Sequence, residues 1–508
     1  MPFNSLDKNI LNGIPGGSLS IGPFGSLTVS EQTATAQATV KFGLNVTQWV
    51  TSSVGNQSSC TAENGILSCS SGISTSGSAD IRLRRGVKYR PGQGVIGKFT
   101  AVFDPGVEDS VQLAGVGNEE CGYYFAKDGV DFGIMHVDTA KREIRLLTLT
   151  VGAGASESVT ITLNGLSKTF VISGGGDINQ TAYLISQQDY SQMGYGWLAE
   201  ACNGTVCFIS KSPRPLSGTY SLSSGGSAAG TFSQVQEGMV ASETFISQSL
   251  WNIDPMNGGG PSRVSLNPEK GNVYSVGYQY LGFGNAIFSV EDPNKGILLP
   301  VHQIINANNR DTTVLNNPYT FARWTAENRG SSTSVTIKGA SAATFVEGRV
   351  NRDIGPTFST GSIRASVAQT IVPILTLRPN SVFSGQSSYG ALDPYNISVG
   401  TDFGNASGNN IVIVYVYKNA ALTGPVNFQY VDRYQSITAA DYSATGLTVG
   451  PKTQLYKSFA VPANDAVTLN LSSDEFFLTH GNTLTIAARA TGGTVEYLST
   501  NLSWHEDQ

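Results

Sequence analysis

The sequence predicts an all-β fold, with antiparallel β-sandwich domains and one small α+β insertion. Three observations carry that expectation. Charged residues are only 13% of the 508-residue chain while glycines number 58, about half the charge of an average soluble domain and an excess of glycine, which argues against long solvent-facing helices. Apolar residues recur in runs of strand length bounded by Gly, Asp, Asn or Pro. Asn-Gly and Asp-Gly pairs separate several of these runs, and such pairs suit antiparallel hairpins because the tight turns need positive φ. A chain of this length has material for several real cores.

Residues 1–78 read as an N-terminal arm with a few strands, Gly/Ser/Thr-rich and weakly alternating at Ala38, Val40, Phe42, Leu44 and Val46. Alone it would bury too little apolar surface to offset backbone ordering, so it is expected to pack on its own domain or on a neighbour. Regular strand runs follow at 95–103, 123–125, 132–134 and 144–149, with Asp128-Gly129 as a hairpin signal. Residues 79–157 together with 240–360 are expected to form one discontinuous sandwich. Its second part alternates at Tyr274, Val276, Tyr278 and Tyr280, turns at 282–285 and returns at 286–290. Residues 158–239 form the insertion. In its first hairpin, turned at Asn164-Gly165, Leu163 opposes Leu166, Ile161 opposes Lys168 and Val159 opposes Phe170. Asp177 and Gln180 stand at capping-box spacing and Ile178, Ala182 and Ile185 recur at i, i+4 and i+7, predicting a helix over 179–190. Residues 361–508 form a second sandwich, in which the unbroken run 411–417 reads as a central strand covered on both faces.

The motifs for catalysis are missing where the sequence is searched for them. The four histidines, His136, His302, His480 and His505, fall in no metal-ligand spacing, and there is no G-x-S-x-G elbow. The expectation is therefore no catalytic residue, no metal and no cofactor. Gly92 to Lys98 approaches a phosphate loop, yet Phe99 stands where Ser or Thr is needed and a strand follows instead of a helix. Glu119-Glu120 reads as a solvated loop, since neighbouring strand residues point to opposite faces and cannot flank one bond. A net charge of -6 gives no general attraction to phosphate backbones, so nucleic acid is not expected as the main partner. The run 411–417 is too short to span a bilayer, so no membrane insertion is expected. The N-terminus lacks the basic start and apolar run of a secretory signal.

Five cysteines, Cys60, Cys69, Cys121, Cys202 and Cys207, are too few and too dispersed for a disulfide framework. A tight turn at Asn203-Gly204 sets Cys202 against Thr205 and Cys207 against Glu200, which leaves the two cysteines out of direct register. Pairing of Cys60 with Cys69 is left open. Tyr123, Tyr124, Tyr183, Tyr195 and Trp197 are candidates for glycan contact through ring stacking, set against the plainer reading that such rings close a sandwich core. Arg82, Arg84, Arg85, Lys88 and Arg90 form the one dense basic cluster, expected to protect a sheet edge or to make a subunit contact.

At Tyr89-Arg90-Pro91-Gly92-Gln93-Gly94, Phe99-Thr100-Ala101-Val102-Phe103, Gly115-Val116-Gly117-Asn118, Gly122-Tyr123-Tyr124-Phe125, Asp128-Gly129 and Phe132-Gly133-Ile134, the sequence resembles a family of virion proteins. These come from large DNA viruses of algae and protists and from environmental tailed phages. The resemblance resumes through the stretch 251–262, Lys270-Gly271-Asn272, 278–284, Val301-His302-Gln303, Phe345-Val346-Glu347-Gly348 and the ending 502–508, and covers most of 80–150 and 250–350. Its motifs are structural. It implies a minor capsid, vertex, spike or fibre component with concanavalin-like or jelly-roll sandwiches, located in the virion and acting in assembly and host attachment. It further implies a homo-oligomer, trimer or pentamer, that meets other capsid or virion proteins and host surface glycans. An adhesin for glycans or a receptor on the virion surface is the alternative. A virion-associated polysaccharide-degrading enzyme comes third, because no motif pairs the carboxylates it needs.

Overall fold

A computed structural model describes residues 31–348, 356–402, 411–471, 476–492 and 495–507. Their architecture is antiparallel β-sandwich of the concanavalin-like or jelly-roll kind, with a small α+β insertion. In the first sandwich, a seven-stranded sheet runs in the order Ser242–Ser247, Asp131–Asp138, Gly122–Asp128, Ser110–Gly117, Phe321–Asn328, Ser78–Leu83, Trp49–Val54. The facing sheet centres on Val95–Phe103, where every second residue, from Val95 through Phe99 to Phe103, points into the core. Rings fill the space between the sheets: the Phe125 centroid lies 4.6 Å from Tyr274 and 5.4 Å from Phe288, while Trp324 meets Phe99 edge-on. Large rings bury the most apolar area per residue and so dominate the energetics of this interior.

The few strands expected in the N-terminal segment are hydrogen-bonded into this sandwich. Gln32–Thr39 pairs with Ser341–Glu347, Trp49–Val54 pairs with Ser78–Leu83, and Ser59–Glu63 and Ile66–Ser70 extend the nine-stranded sheet. Residues 1–30 of that segment lie outside the described residues. The Asp-Gly hairpin forms with Asp128 opposite Asp131, so its two turn residues are Gly129, at φ 57°, and Val130.

Ile144–Val151, expected in the first sandwich, pairs instead with Thr205–Ser210 and Ala229–Gln236 in the insertion. Alternation tells which face of a strand is apolar but not which sheet receives it. A second small sheet holds the 159–170 hairpin in the register expected, Leu163 on Leu166, Ile161 on Lys168 and Val159 on Phe170. The helix Ile178–Ser186 is capped by Asp177, whose carboxylate accepts from the Gln180 N–H at 2.8 Å. It stops short of the expected 190 because Tyr190 turns inward, buries its ring and donates its hydroxyl to the Ile185 carbonyl at 3.0 Å.

The second sandwich opposes two six-stranded sheets, one in the order Gln429–Tyr430, Thr438–Asp441, Val372–Pro379, Leu484–Ala490, Ile411–Lys418, Gln454–Pro462. The other is built on the long strands Ala391–Asp402 and Val495–Asp507. Ile411–Lys418 lies inside its sheet, as its β-branched run predicts, but its two faces are covered unequally: Val412, Val414 and Val416 are buried in the main core, while on the other face Ile411 is exposed, Ile413 and Tyr415 are half-buried and only Tyr417 is buried, in a small cluster with Ala420 and Ala487. Thr357–Ser359 already pairs with this sandwich, ahead of the boundary expected at 360; residues 349–355 lie outside the described ones.

The insertion does not stand alone. Its core runs on into Leu422, Val426, Phe428, Ala439 and Ala444 of the C-terminal unit. Polar contacts pin the same join: Glu200 accepts from the Ser381 N–H at 2.8 Å and hydroxyl at 2.5 Å, and Arg378 donates to the Ala201 carbonyl. Gln180, at the capping-box position, spends its side chain on the Val426 N–H at 2.9 Å instead of on the helix start.

Candidate functional site at the junction of the sandwiches

The basic cluster lies where the two sandwiches of the same chain meet. Ser78–Leu83 is an interior strand, paired with Trp49–Val54 on one side and Phe321–Asn328 on the other, so Arg82 has no sheet edge to protect. Arg82 is only 4% exposed. Its guanidinium lies 4.0 Å from the Phe321 ring centroid, 3.6 Å from Glu119 and 3.2 Å from Nε2 of His480. Arg84 donates to the carbonyls of Val46 at 2.6 Å and Trp49 at 3.4 Å. Arg85 stacks 4.5 Å from the Phe477 centroid, and Lys88 lies 3.1 Å from Asp507. Arg90 lines a small recess with Asp393 and Asp507. Edge protection is therefore overturned for Arg82.

Glu119 and Glu120 are part of the same junction, not a solvated loop. Arg142 lies 3.6 Å from Glu120 and 5.0 Å from the ring centroid of Tyr389, whose segment belongs to the second sandwich. Arg323 donates twice to Asp80, at 2.8 and 2.6 Å, and Thr325 donates to the same oxygen at 2.7 Å. Burial pushes the Glu119 carboxyl upward, but Arg82, Arg323 and Arg142 overcome it and hold the group well below the ordinary carboxylate range. Glu120 ends above its ordinary value, since burial outweighs Arg142. The opposed directions would suit an acid and a base, yet both side chains are committed to arginines inside the junction. A charge cluster of this kind fixes how two surfaces meet.

Above it lies an open cleft of about 690 Å³. One wall is Ala34 to Ala38 with Leu83, Arg84 and Arg85; the other is Lys418, Gln454 to Lys457, Phe476 and Phe477. Lys418 is 6% exposed, sits 5.6 Å from the Tyr456 ring centroid and has no carboxylate at ion-pair distance among the described residues. Burial and then Arg84 bring its ammonium down to about 8, and burial followed by Arg82 brings Arg84 to about 10.

Four of the five rings expected to stack on sugars are not at a surface. Tyr123, Tyr124, Tyr183 and Trp197 are buried: Tyr123 stacks on His136 at 4.7 Å, Tyr124 donates to the Asn118 carbonyl at 3.2 Å, Tyr183 packs by Phe428 and Trp197 meets Tyr220 edge-on. An enclosed ring offers no face to a sugar. Tyr195 is half-buried, with the Arg214 guanidinium 4.1 Å over its ring. The signal that the sequence did hold for the junction was the spacing of Arg82, Arg84 and Arg85; the partners His480, Tyr389 and Lys418 lie hundreds of positions away and carry no local mark.

Cys60 and Cys69 face each other across their hairpin as free thiols, while Cys202 opposes Thr205 and Cys207 opposes Glu200, as the Asn-Gly turn requires. Among the described residues no three His, Cys, Asp or Glu side chains gather to hold a metal, and no helix is long and apolar enough to cross a membrane.

No family model and no curated protein match the chain. Among solved structures, a legume lectin-like domain from Entamoeba histolytica is similar with a TM-score of 0.23 and 8% identity, over 58% of this chain and 89% of that one. The T13 IBDV viral particle follows at 0.14 and 9%, over 82% and 70%, and the T=1 particles derived from infectious bursal virus at 0.14 and 8%, over 83% and 70%. At these scores no residue, ligand or activity is carried from them to this chain.

Proposed function

We propose that this chain is a non-catalytic structural subunit of a virus particle, a minor capsid, vertex, spike or fibre protein that acts as a homo-oligomer. The observation that carries the reading is the union of its parts: two sandwiches locked by buried charge at Arg82, Glu119 and Arg142 with the neutral ring of His480, and an insertion whose core is completed by the second sandwich. A subunit under lattice forces needs units that do not hinge, and an extensive interface between domains restrains such motion. The virion-like motifs at 89–134 and 251–284 support the same reading. Attachment to host glycans through Tyr123, Tyr124, Tyr183 or Trp197 finds no support, because these rings are enclosed.

Native mass spectrometry of the full chain, and of the chain lacking residues 1–30, tests the proposal. Truncation must stop there, since the next residues are strands of the first sandwich. A closed trimer or pentamer is expected. A monomer at every concentration overturns the oligomeric subunit, and release of reducing ends from a polysaccharide overturns the non-catalytic role.

A further inference from the structure

Cys60 and Cys69 stand directly opposite each other in the hairpin of Ser59–Glu63 and Ile66–Ser70. The turn decides what kind of opposition this is. Asn64 and Gly65 take φ of 52° and 80°, as the two loop residues of a tight hairpin turn do, so the flanking pair Glu63 and Ile66 exchanges both backbone hydrogen bonds. Antiparallel pairs then alternate: Ala62 with Leu67 is not hydrogen-bonded, Thr61 with Ser68 is, and Cys60 with Cys69 is not. Partners of the second kind are the closer ones, with Cα atoms about 4.5 Å apart, inside the roughly 4.4–6.8 Å that a disulfide spans. Both side chains face the core of the first sandwich, and the Cys69 thiol has Cys60 as a hydrogen-bond partner. The other cysteines lack this opposition. Cys202 and Cys207 are two positions out of register, a diagonal of about 7–8 Å that a bridge does not reach without backbone movement.

The two thiols differ in access. Cys60 is half-buried and donates to the carbonyls of Ser52 at 3.3 Å and Asp80 at 3.2 Å, whereas Cys69 is enclosed and donates to the Trp324 carbonyl at 3.5 Å. An oxidant therefore meets Cys60 first. Ser59–Glu63 ends its path through the nine-stranded sheet and pairs only with Ile66–Ser70, and an end strand held on one side opens more readily than a central one. We propose that Cys60 and Cys69 are a reversible redox pair, oxidised by a small-molecule disulfide such as glutathione disulfide, whose bridge fastens this end strand to the sheet. The Cys60 thiolate attacks one sulfur of the glutathione disulfide, the S–S bond breaks, and the first glutathione leaves and takes up the proton that Cys60 released. Cys69 then gives up its proton, attacks the Cys60 sulfur and expels the second glutathione. Two thiols have lost two protons and two electrons, and one disulfide has become two glutathiones. The inference goes beyond the particle role, since the hairpin is the same in a monomer and in an oligomer.

The experiment incubates the full folded chain, reduced at the outset, with glutathione disulfide at pH 8 for hours, stops the reaction by alkylation, and reads intact mass and peptide map. The expected product lacks two hydrogens, carries a Cys60–Cys69 link, keeps three thiols and regains five on addition of reduced glutathione. Amide exchange across residues 59–70 should slow about tenfold in the linked chain. Cys69→Ala should stop at a glutathione adduct on Cys60, which separates the first step from the second, and Cys60→Ala should form no link; circular dichroism verifies the fold of each. A lasting glutathione adduct on Cys60 in the native chain means that Cys69 does not reach it, and overturns the bridge. No reaction at either thiol overturns it as well. A Cys60–Cys69 link that forms only in urea, or a Cys202–Cys207 link in its place, shows that the folded register does not select the pair and overturns the proposal. Unchanged amide exchange in the linked chain overturns the fastening of the end strand.

Discussion

Arg82 Nη2 lies 3.2 Å from Nε2 of His480, a contact between residues 398 positions apart that ties the first sandwich to the second. A guanidinium only donates, so Nε2 accepts and the proton of the neutral ring resides on Nδ1. Burial, and then the charge of Arg82, push the imidazole down to about 3.

The sign of the resulting pH dependence follows from linkage. The unfolded chain protonates His480 near its ordinary 6.5, the folded chain only near 3, so its contribution is complete above 6.5 and is lost as pH falls toward 3. The loss is at most about 1.4 kcal/mol per pH unit in that window. Urea melts at pH 7 and 5 should show a larger drop for the native chain than for His480→Gln. Equal drops would remove His480 from the acid response.

Glu119→Gln removes the anion shared by Arg82, Arg323 and Arg142. Breaking a largely buried pair from one side leaves uncompensated positive charge, with an expected cost of about 3 kcal/mol. Thermal denaturation measures it. A loss under about 0.5 kcal/mol, the range of an exposed pair, would mean that water reaches the junction.

Tyr123→Ala should cost about 3–5 kcal/mol as a large ring is deleted from a packed core. Tyr195→Ala, which gives up mainly its stacking with Arg214, should cost about 1 kcal/mol or less. Chemical denaturation of the two variants side by side checks the contrast, and a reversed order would place Tyr123 outside the core.

Native thiol labelling at pH 8 should modify at most Cys60 and Cys202 of the three half-buried cysteines, because burial holds the thiol of the third, Cys207, far above its ordinary range. Burial drives Cys69 well above the ordinary thiol range and Cys121 to about 12, and the thiolate is the reactive form. All five should label in urea, read by intact mass. Rapid native labelling of Cys69 or Cys121 would contradict their enclosure.

Local register was legible in the sequence. The pairs Leu163–Leu166 and Cys202–Thr205 each flank a two-residue connection, and the turn fixes what faces what. The destination of Ile144–Val151 was not, because the same alternation fits either sheet. Nor was the burial of Arg82, Glu119 and Glu120: a charged side chain reads as solvated until its partners are known, and here His480 and Tyr389 come from the far end of the chain. Tyr123 and Trp197 looked available for the complementary reason, since a ring near a turn gives no sign of what will cover it.

The shared core of the insertion bears on the order in which the molecule is made. Residues 147–232 leave the ribosome with an apolar surface that Val426, Phe428 and Ala439 will cover only some two hundred residues later, and Thr35 waits 309 positions for Thr344. Such late closures slow folding and leave sticky intermediates exposed during synthesis. A nascent chain halted before about residue 440 therefore carries an uncovered apolar face, and the cell must shield it until the last sandwich arrives.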